Sequence, residues 1–324
     1  MRDLVLGLDI GGTSSRALVG DLAGGIAGRG TAGGGNPNSH PPELAVAQVT
    51  AAARAALGEL DGRSVRSAVL GMAGVSAMTD PRVAALFQEG WTSLGLDCPV
   101  RVVSDTEVAF AAGTATADGT ALIAGTGAIA ARIERHREVA IAGGHGWLLG
   151  DEGSAYWLGR EGVRHALRTL DAGEVPDTGL AGSVLLAVLG DQGGELAEHD
   201  PVRLRKQLIT AASGAPPIRL AELAPLVTAA CAKRDPAGSE IVARGAVELA
   251  VLAQRTRRPG DTGPVVLAGG LTAEGNPLGS ALRTELAERL PGVALHLAGP
   301  GAAGAAWLAA LDLIPRPARY PGLR

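Results

Sequence analysis

The sequence predicts a two-domain α/β fold on the basis of three observations. The chain has 324 residues, and domains usually span about 100–200 residues. Strand-like apolar segments alternate with helical segments, as they do in mixed α/β sheets. One unit also recurs, because an apolar strand, a turn of small residues and a second strand occupy residues 4–19 and again residues 120–133. We therefore expect two halves of similar plan, with a boundary near residues 113–119.

The first half opens with a predicted antiparallel meander. Two strands flank the turn at Gly11 and Gly12, and a third strand over 25–31 follows a second glycine turn. The segment 33–42 is too rich in glycine and proline for regular structure and is a candidate binding loop. The further predicted elements are a helix over 42–60, a strand over 67–74, a helix over 82–91, a strand over 100–104 and a helix over 107–114.

The second half repeats this plan without close sequence identity. A strand from 120, a turn at 125–127, a strand to 133 and a third strand over 139–142 form another meander. Five mostly helical segments follow, at 155–170, 180–189, 201–212, 220–232 and 237–256. The chain then continues with a strand over 264–268, a helix over 277–290, a strand over 293–297 and a helix over 301–311. Ligands of such sheets bind beyond the carboxyl ends of strands.

Charge and composition exclude several functions. The 29 Lys and Arg residues against 33 Asp and Glu give a net charge of −4, so we expect no nucleic-acid partner. Lys206 and Lys233 are the only lysines and neither follows a glycine, which excludes a G-x-x-x-x-G-K-[ST] phosphate loop. The apolar segment 301–314 is shorter than the roughly 20 residues that cross a bilayer, so no membrane partner is expected.

Cysteine usage and the start of the chain bear on location. Cys98 and Cys231 lie far apart, and we interpret them as buried, reduced thiols rather than zinc ligands. The first residues lack the layout of a signal peptide. A cytoplasmic location is therefore expected.

The two glycine turns carry the chemistry. The first has Gly11, Gly12, Thr13 and Ser14 behind the acidic Asp9, and the second is 125–127. Residues without bulky side chains let backbone N–H groups approach phosphate oxygens closely. Two such turns facing each other predict a nucleotide-using enzyme, with two ordinary hairpin turns as the alternative.

Four motifs in a fixed order carry a family resemblance. They are Asp9-Ile10-Gly11-Gly12-Thr13, Ser104-Asp105, Gly125-Thr126-Gly127 and Ala268-Gly269-Gly270-Leu271. Together they resemble the superfamily of actin, sugar-kinase and heat-shock-chaperone ATPases over nearly the whole chain. The segment 143–157 (GGHGWLLGDEGSAYW) resembles the BadF/BadG/BcrA/BcrD ATPase family, which contains N-acetylglucosamine kinase. With His145 and Trp147, this segment is most similar to actinobacterial glucosamine kinases.

This resemblance implies two ribonuclease H-like (actin-like ATPase) domains with a cleft between them. The first would comprise residues 1–115, joined by the C-terminal helix 301–324, and would hold the sugar-binding loop and the catalytic aspartate. The second, residues 116–300, would bind the nucleotide.

The resemblance also implies an activity. The protein would transfer the γ-phosphate of ATP to the 6-hydroxyl of glucosamine, with Mg²⁺ held by Asp9 through water. Asp105 would act as general base towards the acceptor hydroxyl. A turn-forming role for Asp9 and a helix-capping role for Asp105 are the structural alternatives.

Further binding residues follow from the same resemblance. Those expected to bind the phosphates are Gly11, Gly12, Thr13, Ser14, Gly125, Thr126 and Gly127, and those expected at the adenosine are Gly269, Gly270 and Asn276. Those expected at the sugar are Asn36, Asn38, His145, Gly146, Asp151 and Glu152. Turn chemistry is the alternative for the asparagines, and helix capping is the alternative for the two acids.

Several functions remain as rivals. N-acetylglucosamine kinase differs only in the 2-substituent of the sugar, and a nearby carboxylate would favour the ammonium of glucosamine. An ATPase that drives a partner protein would need a cluster-ligating cysteine in a glycine-rich turn, which neither Cys98 nor Cys231 provides. A slow nucleotide-dependent sensor is a third rival. The zinc motif of ROK sugar kinases is missing, and both a monomer and a homodimer stay open.

Overall fold

The computed structural model describes residues 3–190 and 200–323, whose strands form two five-stranded sheets. The strands of the first sheet are β1 (Leu4–Ile10), β2 (Ser14–Asp21), β3 (Ile26–Gly33), β4 (Val65–Met72) and β5 (Val100–Ser104). They lie in the order β3-β2-β1-β4-β5. The central strand β1 pairs antiparallel with β2 and parallel with β4, and β5 extends the parallel part.

The second sheet has the same topology. Its strands are β6 (Gly119–Ala124), β7 (Ala128–Glu134), β8 (Arg137–Gly143), β9 (Val265–Ala268) and β10 (Leu295–Leu297). Their order, β8-β7-β6-β9-β10, matches that of the first sheet strand for strand, including the antiparallel meander and the parallel remainder. The predicted structural echo between the two halves is confirmed.

Helices cover the sheets. They are α1 (Pro42–Leu57), α2 (Pro81–Ser93), α3 (Asp105–Gly113), α4 (Gly146–Leu149), α5 (Ala155–Asp171), α6 (Gly179–Leu189), α7 (Pro201–Gly214), α8 (Ala224–Ala232), α9 (Pro236–Thr256), α10 (Pro277–Arg289) and α11 (Gly301–Leu311). One core forms between the first sheet, α1 and α2, and the largest core forms among the second sheet and helices α5 to α10.

The last helix returns to the first sheet. Helix α11 packs across β1, where any side chain at Gly7 would collide with the helix backbone at Ala302 and Ala306. The apolar residues of α11 share a core with Val5, Val69 and Val103 of the first sheet. The division of the chain into 1–115 and 116–300 stays a prediction.

Some expectations differ from the structure. Helix α3 begins at Asp105 rather than at Glu107, because Ser104 supplies the cap. The predicted helix 220–232 is a 3₁₀ turn over Pro217–Leu223 followed by α8. Helix α4 was not predicted, since one turn has too few residues to show a period.

The prediction that both cysteines are buried is also wrong. Cys98 and Cys231 are free and partly exposed, because Cys98 lies in the loop before β5 and Cys231 is the penultimate residue of α8. Burial of the remaining surface raises the pKa of the Cys98 thiol. In the described part of the chain, no helix combines the length and the hydropathy that a membrane span requires.

Candidate active site

A cavity of about 400 Å³ lies where the two sheets face each other. Asp9 and Asp105 line it from the first half, and Ile123 and Gly269 line it from the second. All four are at or just beyond the carboxyl ends of strands, where open α/β sheets bind ligands. The segment 298–300 and Gly301, the first residue of α11, complete the wall. The topology therefore brings two carboxylates, the end of β6 and the glycine that follows β9 into one space.

Asp105 is the first residue of α3. The side chain of Ser104 caps the helix by accepting the N–H of Glu107 at 3.2 Å, so the N-cap is Ser104 and not Asp105. Burial, followed by the negative charges of Asp9 and Glu138, raises the pKa of the Asp105 carboxyl to about 6. A carboxylate with that pKa is ionised at neutral pH and yet accepts a proton readily.

Asp9 lies near the end of β1, opposite Arg16 on β2. A side chain at Gly301 would collide with its carboxylate, so glycine at the start of α11 allows the acid to approach the helix N-terminus. Burial raises the pKa of Asp9, and the nearby Arg16 opposes that shift. The positive end of the helix dipole favours the ionised form. Asp9 therefore places a carboxyl oxygen at the cavity wall, beside the helix N-terminus.

The first glycine turn is backed by the loop that follows β3. The carbonyl of Gly11 accepts the N–H of Gly35 at 3.3 Å, and the carbonyl of Gly12 lies 2.6 Å from Nε2 of His40. Since a carbonyl only accepts, Nε2 carries the proton. In a trans peptide the C=O and the following N–H point in opposite directions. The N–H groups of Gly12 and Thr13 therefore point away from the loop.

The second turn has the same orientation by other means. Its carbonyls at Gly125 and Thr126 accept the N–H groups of Ala155 (2.9 Å) and Tyr156 (3.2 Å) at the start of α5. By the same peptide geometry, the N–H groups of Thr126 and Gly127 point away from the helix. Thr126 is exposed. Both turns thus have their carbonyls occupied by the protein and their N–H groups directed outward.

Asp151 supports the second turn by a hydrogen bond to the residue that follows it. It is buried, with a φ of +62°, and its Oδ1 accepts the N–H of Ala128 at 3.0 Å. A Cβ at Gly127 would lie only 2.9 Å from the same oxygen. Burial raises the pKa of Asp151. A left-handed conformation costs a residue other than glycine about 1 kcal/mol or more, which indicates that the position of this carboxylate is strongly determined.

The other residues predicted at the sugar lie next to Asp151. The exposed Glu152 raises the pKa of Asp151, and His145 lowers it. Gly146 has a φ of +77° and open space around it. The cap of α5 is Ser154, which accepts the N–H of Trp157, so the capping role considered for Asp151 and Glu152 is wrong.

Asn36 and Asn38 hold the loop after β3 to the end of β4. The amide of Asn36 donates to the carbonyl of Ala73 at 3.0 Å, and that of Asn38 donates to the carbonyl of Gly74 at 2.7 Å. Oδ1 of Asn36 accepts the N–H of Asn38 at 2.9 Å. Both amides thus shape the loop, and their direct contact with a sugar stays a prediction.

The predicted adenosine residues follow β9. Gly269 has a φ of +94° and packs against the carbonyl of Ala124, so glycine is required there. Gly270 has open space where a side chain would lie. Asn276 caps α10 by accepting the N–H of Leu278 at 3.0 Å. Its contact with adenosine stays a prediction.

Sequence reasoning missed two polar contacts at the site. One is His40 behind the first turn, and the other joins Thr106 beside Asp105 to Glu138 on β8. Glycines before His40 were a visible signal of a close approach to another backbone. For Glu138 the sequence carries no local signal, since its partner is 32 residues away.

The sequence profile of the BadF/BadG/BcrA/BcrD ATPase family matches residues 6–309. The chain belongs to this family. Membership in an ATPase family implies the use of ATP, in agreement with the two N–H-lined turns.

Two characterised relatives carry the name of a sugar kinase. The chain is 31% identical over 170 residues to an N-acetylmuramic acid/N-acetylglucosamine kinase of Clostridium acetobutylicum, covering 52% of this chain and 54% of that protein. It is 30% identical over 182 residues to an N-acetyl-D-glucosamine kinase of Dictyostelium discoideum, covering 52% and 56%. The chain thus matches these relatives over about half of their length.

Solved structures confirm the fold over the whole chain. A candidate N-acetylglucosamine kinase from Chromobacterium violaceum superposes with a TM-score of 0.72 at 24% identity, covering 95% of this chain and 99% of that one. A ROK family glucokinase from Streptomyces griseus, in complex with glucose and AMPPNP, gives 0.56 at 20% identity, covering 96% and 99%. These likenesses establish the actin-like two-domain fold.

Proposed function

We propose that the protein is an ATP-dependent amino-sugar kinase that phosphorylates the 6-hydroxyl of glucosamine. The observation that carries this proposal is the cavity between the two sheets, which Asp105 and Asp9 line together with Gly269. Phosphoryl transfer to an alcohol needs groups that bind the phosphates, a carboxylate that accepts the hydroxyl proton and an oxygen ligand for a metal ion. The two glycine turns, Asp105 and Asp9 are proposed for these three roles in that order.

Asp105 is the proposed general base. As the 6-oxygen of the sugar forms its bond to the γ-phosphorus, the Asp105 carboxylate takes the hydroxyl proton and the bond to the β-phosphate oxygen breaks. The products are the sugar 6-phosphate and ADP. The pKa of about 6 suits a base that works at neutral pH.

The two glycine turns are the proposed phosphate grip. Outward N–H groups at Gly12, Thr13, Thr126 and Gly127 are donors for phosphate oxygens. The carbonyls of the same peptide groups, at Gly11, Gly12, Gly125 and Thr126, already accept hydrogen bonds from the protein. The donors are therefore fixed before the nucleotide binds. Donors that need no reorganisation stabilise developing charge most effectively. Gly269, Gly270 and Asn276 are proposed to lie along the adenosine.

Mg²⁺ fits the same site through Asp9. No group of three or more His, Cys, Asp or Glu side chains among residues 3–190 and 200–323 could hold a metal ion. A single carboxylate fits Mg²⁺, which keeps several waters and binds substrate phosphates. When bound, the ion would neutralise charge on the β- and γ-phosphates.

The acidic pair 151–152 supports glucosamine as the acceptor. Asp151 and Glu152 lie beside the second turn with His145 and Gly146, and their negative charge would attract the ammonium of glucosamine. An acetamide would gain nothing from that charge. Asn36 and Asn38 are proposed to hold sugar hydroxyls from the opposite loop.

N-acetylglucosamine kinase is the second candidate. It is favoured by the names of the two relatives, because both are kinases of N-acetylated amino sugars. The difference between the two candidates is confined to the substituent at the sugar 2-position.

One assay separates the candidates. ATP consumption is measured with glucosamine, N-acetylglucosamine, glucose and no acceptor, each with and without Mg²⁺. We expect the highest kcat/KM with glucosamine and dependence on Mg²⁺. Preference for the acetylated sugar would favour the second candidate, and turnover that no sugar stimulates would exclude both.

The Asp151→Asn variant tests the charge argument directly. Asparagine keeps an oxygen for the Ala128 N–H and tolerates a positive φ, so the turn is preserved while the charge is lost. We expect the ratio of glucosamine to glucose turnover to fall by about 5-fold or more, since the attraction between the carboxylate and the ammonium, about 1 kcal/mol, is lost. An unchanged ratio would remove Asp151 from acceptor selection.

A further inference from the structure

The start of α3 is connected to the second sheet by a chain of hydrogen bonds. The N–H of Glu107 donates to Ser104 Oγ at 3.2 Å, Ser104 Oγ lies 2.8 Å from Thr106 Oγ1, and the Thr106 hydroxyl donates to the carboxylate of Glu138 on β8. Ser104 and Thr106 are the two chain neighbours of Asp105. The chain therefore flanks the proposed base on both sides.

The carboxylate end fixes the direction of this chain. An ionised carboxylate only accepts, so the single hydroxyl proton of Thr106 is committed to Glu138. The Ser104 hydroxyl must then donate to Thr106 while it accepts from Glu107. Each member has one donor and one acceptor role, and hydrogen bonds arranged head to tail strengthen one another.

A second contact joins the same two elements in the opposite sense. The backbone N–H of Glu138 donates to Oε1 of Glu107 at 3.1 Å, and the Arg137 guanidinium lies 3.8 Å from Oε2 of Glu107. Glu107 is 9% exposed. Helix α3 follows the first sheet and β8 is an edge strand of the second. The two contacts thus connect the halves beside the proposed base.

We propose that Glu138 is a positioning residue for Asp105, which through Thr106 fixes the first turn of α3 relative to the sheet that carries the second glycine turn. This inference rests on the proposed function, in which Asp105 accepts the proton of the sugar hydroxyl. The structural consequence is a fixed distance between the Asp105 carboxylate and the N–H groups of the second glycine turn. Nothing in the motif pattern of the sequence assigns this role to Glu138.

The charge of Glu138 adds a second effect on Asp105. The charged groups that face Asp105 are Asp9 on β1 and Glu138 on β8, both of which raise its pKa, and Arg16, which lines the same cavity. The other nearby charges have partners: Glu107 has Arg137, Arg101 on β5 has Asp312, and Glu134 on β7 has Arg132. Removing the negative charge at 138 should therefore make Asp105 more acidic.

A titration without nucleotide or sugar tests this coupling. The carboxyl carbons of aspartate are labelled with ¹³C, and the Asp105 signal is assigned by its loss in Asp105→Asn. We expect Glu138→Gln to lower the apparent pKa of Asp105 by about half a unit or more, while the control Glu134→Gln on the neighbouring strand leaves it unchanged. An unchanged Asp105 titration in Glu138→Gln would overturn the charge coupling.

Variants at Thr106 test the positioning by activity. Thr106→Val keeps the size but removes the hydroxyl, and we expect kcat with sugar to fall about 10-fold or more with the acid limb of the pH profile in place. Thr106→Ser should restore most of the turnover. Glu138→Gln, which retains an acceptor for Thr106, should move the acid limb to lower pH with a smaller loss of kcat. Equal kcat in Thr106→Val and the wild type would overturn the positioning role.

These readouts separate the two proposals. If the wild-type protein shows no sugar-dependent turnover, the proposed kinase function fails, and the titration still decides whether Glu138 acts on Asp105. If turnover is present but Glu138→Gln changes neither the titration nor the acid limb, the kinase function stands and the charge coupling of Glu138 to Asp105 is wrong. The positioning role is then decided by Thr106→Val.

Discussion

The two glycine turns present backbone N–H groups in the same way but are supported differently. The first turn is backed by a loop, with the ring of His40 and the N–H of Gly35 on its carbonyls. The second is backed by the N-terminus of α5 and by the buried carboxylate of Asp151. The common feature is the outward N–H direction. The proposed phosphate binding requires this peptide orientation and leaves the supporting residues free to differ.

The two supports also differ in burial. Asp151 is 7% exposed, whereas His40 is partly exposed in a loop between glycines and prolines. Hydrogen bonds to buried charged groups contribute more than those near solvent, because an abandoned buried partner cannot turn to water. The second turn should therefore be the more rigid of the two, and it should be more sensitive to loss of its support.

The largest expected effect leaves both turns intact. Asp105→Asn removes the proposed base without touching either phosphate grip, so turnover with sugar should fall by about 10²–10⁴-fold while nucleotide binding is retained. Steady-state kinetics and calorimetric titration with a non-hydrolysable ATP analogue measure the two quantities. Near-normal turnover would exclude Asp105 from the chemistry, and lost nucleotide binding would mean that the turns depend on it.

The same substitution should stabilise the protein in a pH-dependent way. The pKa of Asp105 is about 6 when folded and near 4 when unfolded, so the folded state binds the proton more tightly. The stability that this group contributes is present below about pH 4 and is lost as the pH rises through 6. Asp105→Asn should therefore raise the free energy of unfolding at pH 7 by about 2 kcal/mol, and by little at pH 4.

Denaturation by urea at the two pH values checks this expectation, and activity provides a second readout. Because the base must be ionised, kcat/KM of the wild type should fall as the pH drops through about 6. A variant that is equally stabilised at pH 4 and pH 7 would show that the effect is not caused by titration of this carboxyl.

The next largest effect is expected when the second turn loses the support of Asp151. Asp151→Ala leaves the buried N–H of Ala128 without its acceptor, which should cost about 1–3 kcal/mol and raise KM for ATP. Asp151→Asn is the matched control, since it keeps the acceptor. The free energy of unfolding and KM for ATP are measured for both, and an Asp151→Ala variant with unchanged KM would show that the turn holds its shape without Asp151.

The smallest effect is expected at the first turn. His40→Ala removes one partly exposed hydrogen bond to Gly12, worth about 0.5–1.5 kcal/mol, and KM for ATP should rise a few-fold at most. His40→Gln provides a control that retains a donor. A larger rise in His40→Ala than in Asp151→Ala would reverse the ranking of the two turns.

The sequence predicted those parts of the site that depend on local patterns. Strand, turn and strand are determined by apolar alternation and glycines within about 15 residues, so both meanders and the positions of Asp9, Asp105 and Gly269 at strand ends could be inferred. Repetition of that plan predicted two related halves, and the order of the strands in each sheet came from the structure. Family motifs supplied the ATPase assignment, which the family profile confirms over 6–309.

The contacts that shape the site could not be inferred in this way. The amides of Asn36 and Asn38 bond to Ala73 and Gly74, and these partners come together only after β1 and β4 have paired. Hydrogen bonds between residues distant in sequence produce no periodic residue pattern from which they could be predicted. The structural roles of polar residues in loops were therefore the least predictable part of the site.

The packing of α11 on the first sheet has a consequence for biosynthesis. Val5, Val69 and Val103 share their core with the apolar residues of a helix roughly two to three hundred positions later, whereas the larger core behind the second sheet is built from 122–290 and its flanks. Chains emerge from the ribosome N-terminus first. The half that is synthesised first must therefore wait for the last helix before it closes, and its apolar surface is exposed to chaperones in the meantime.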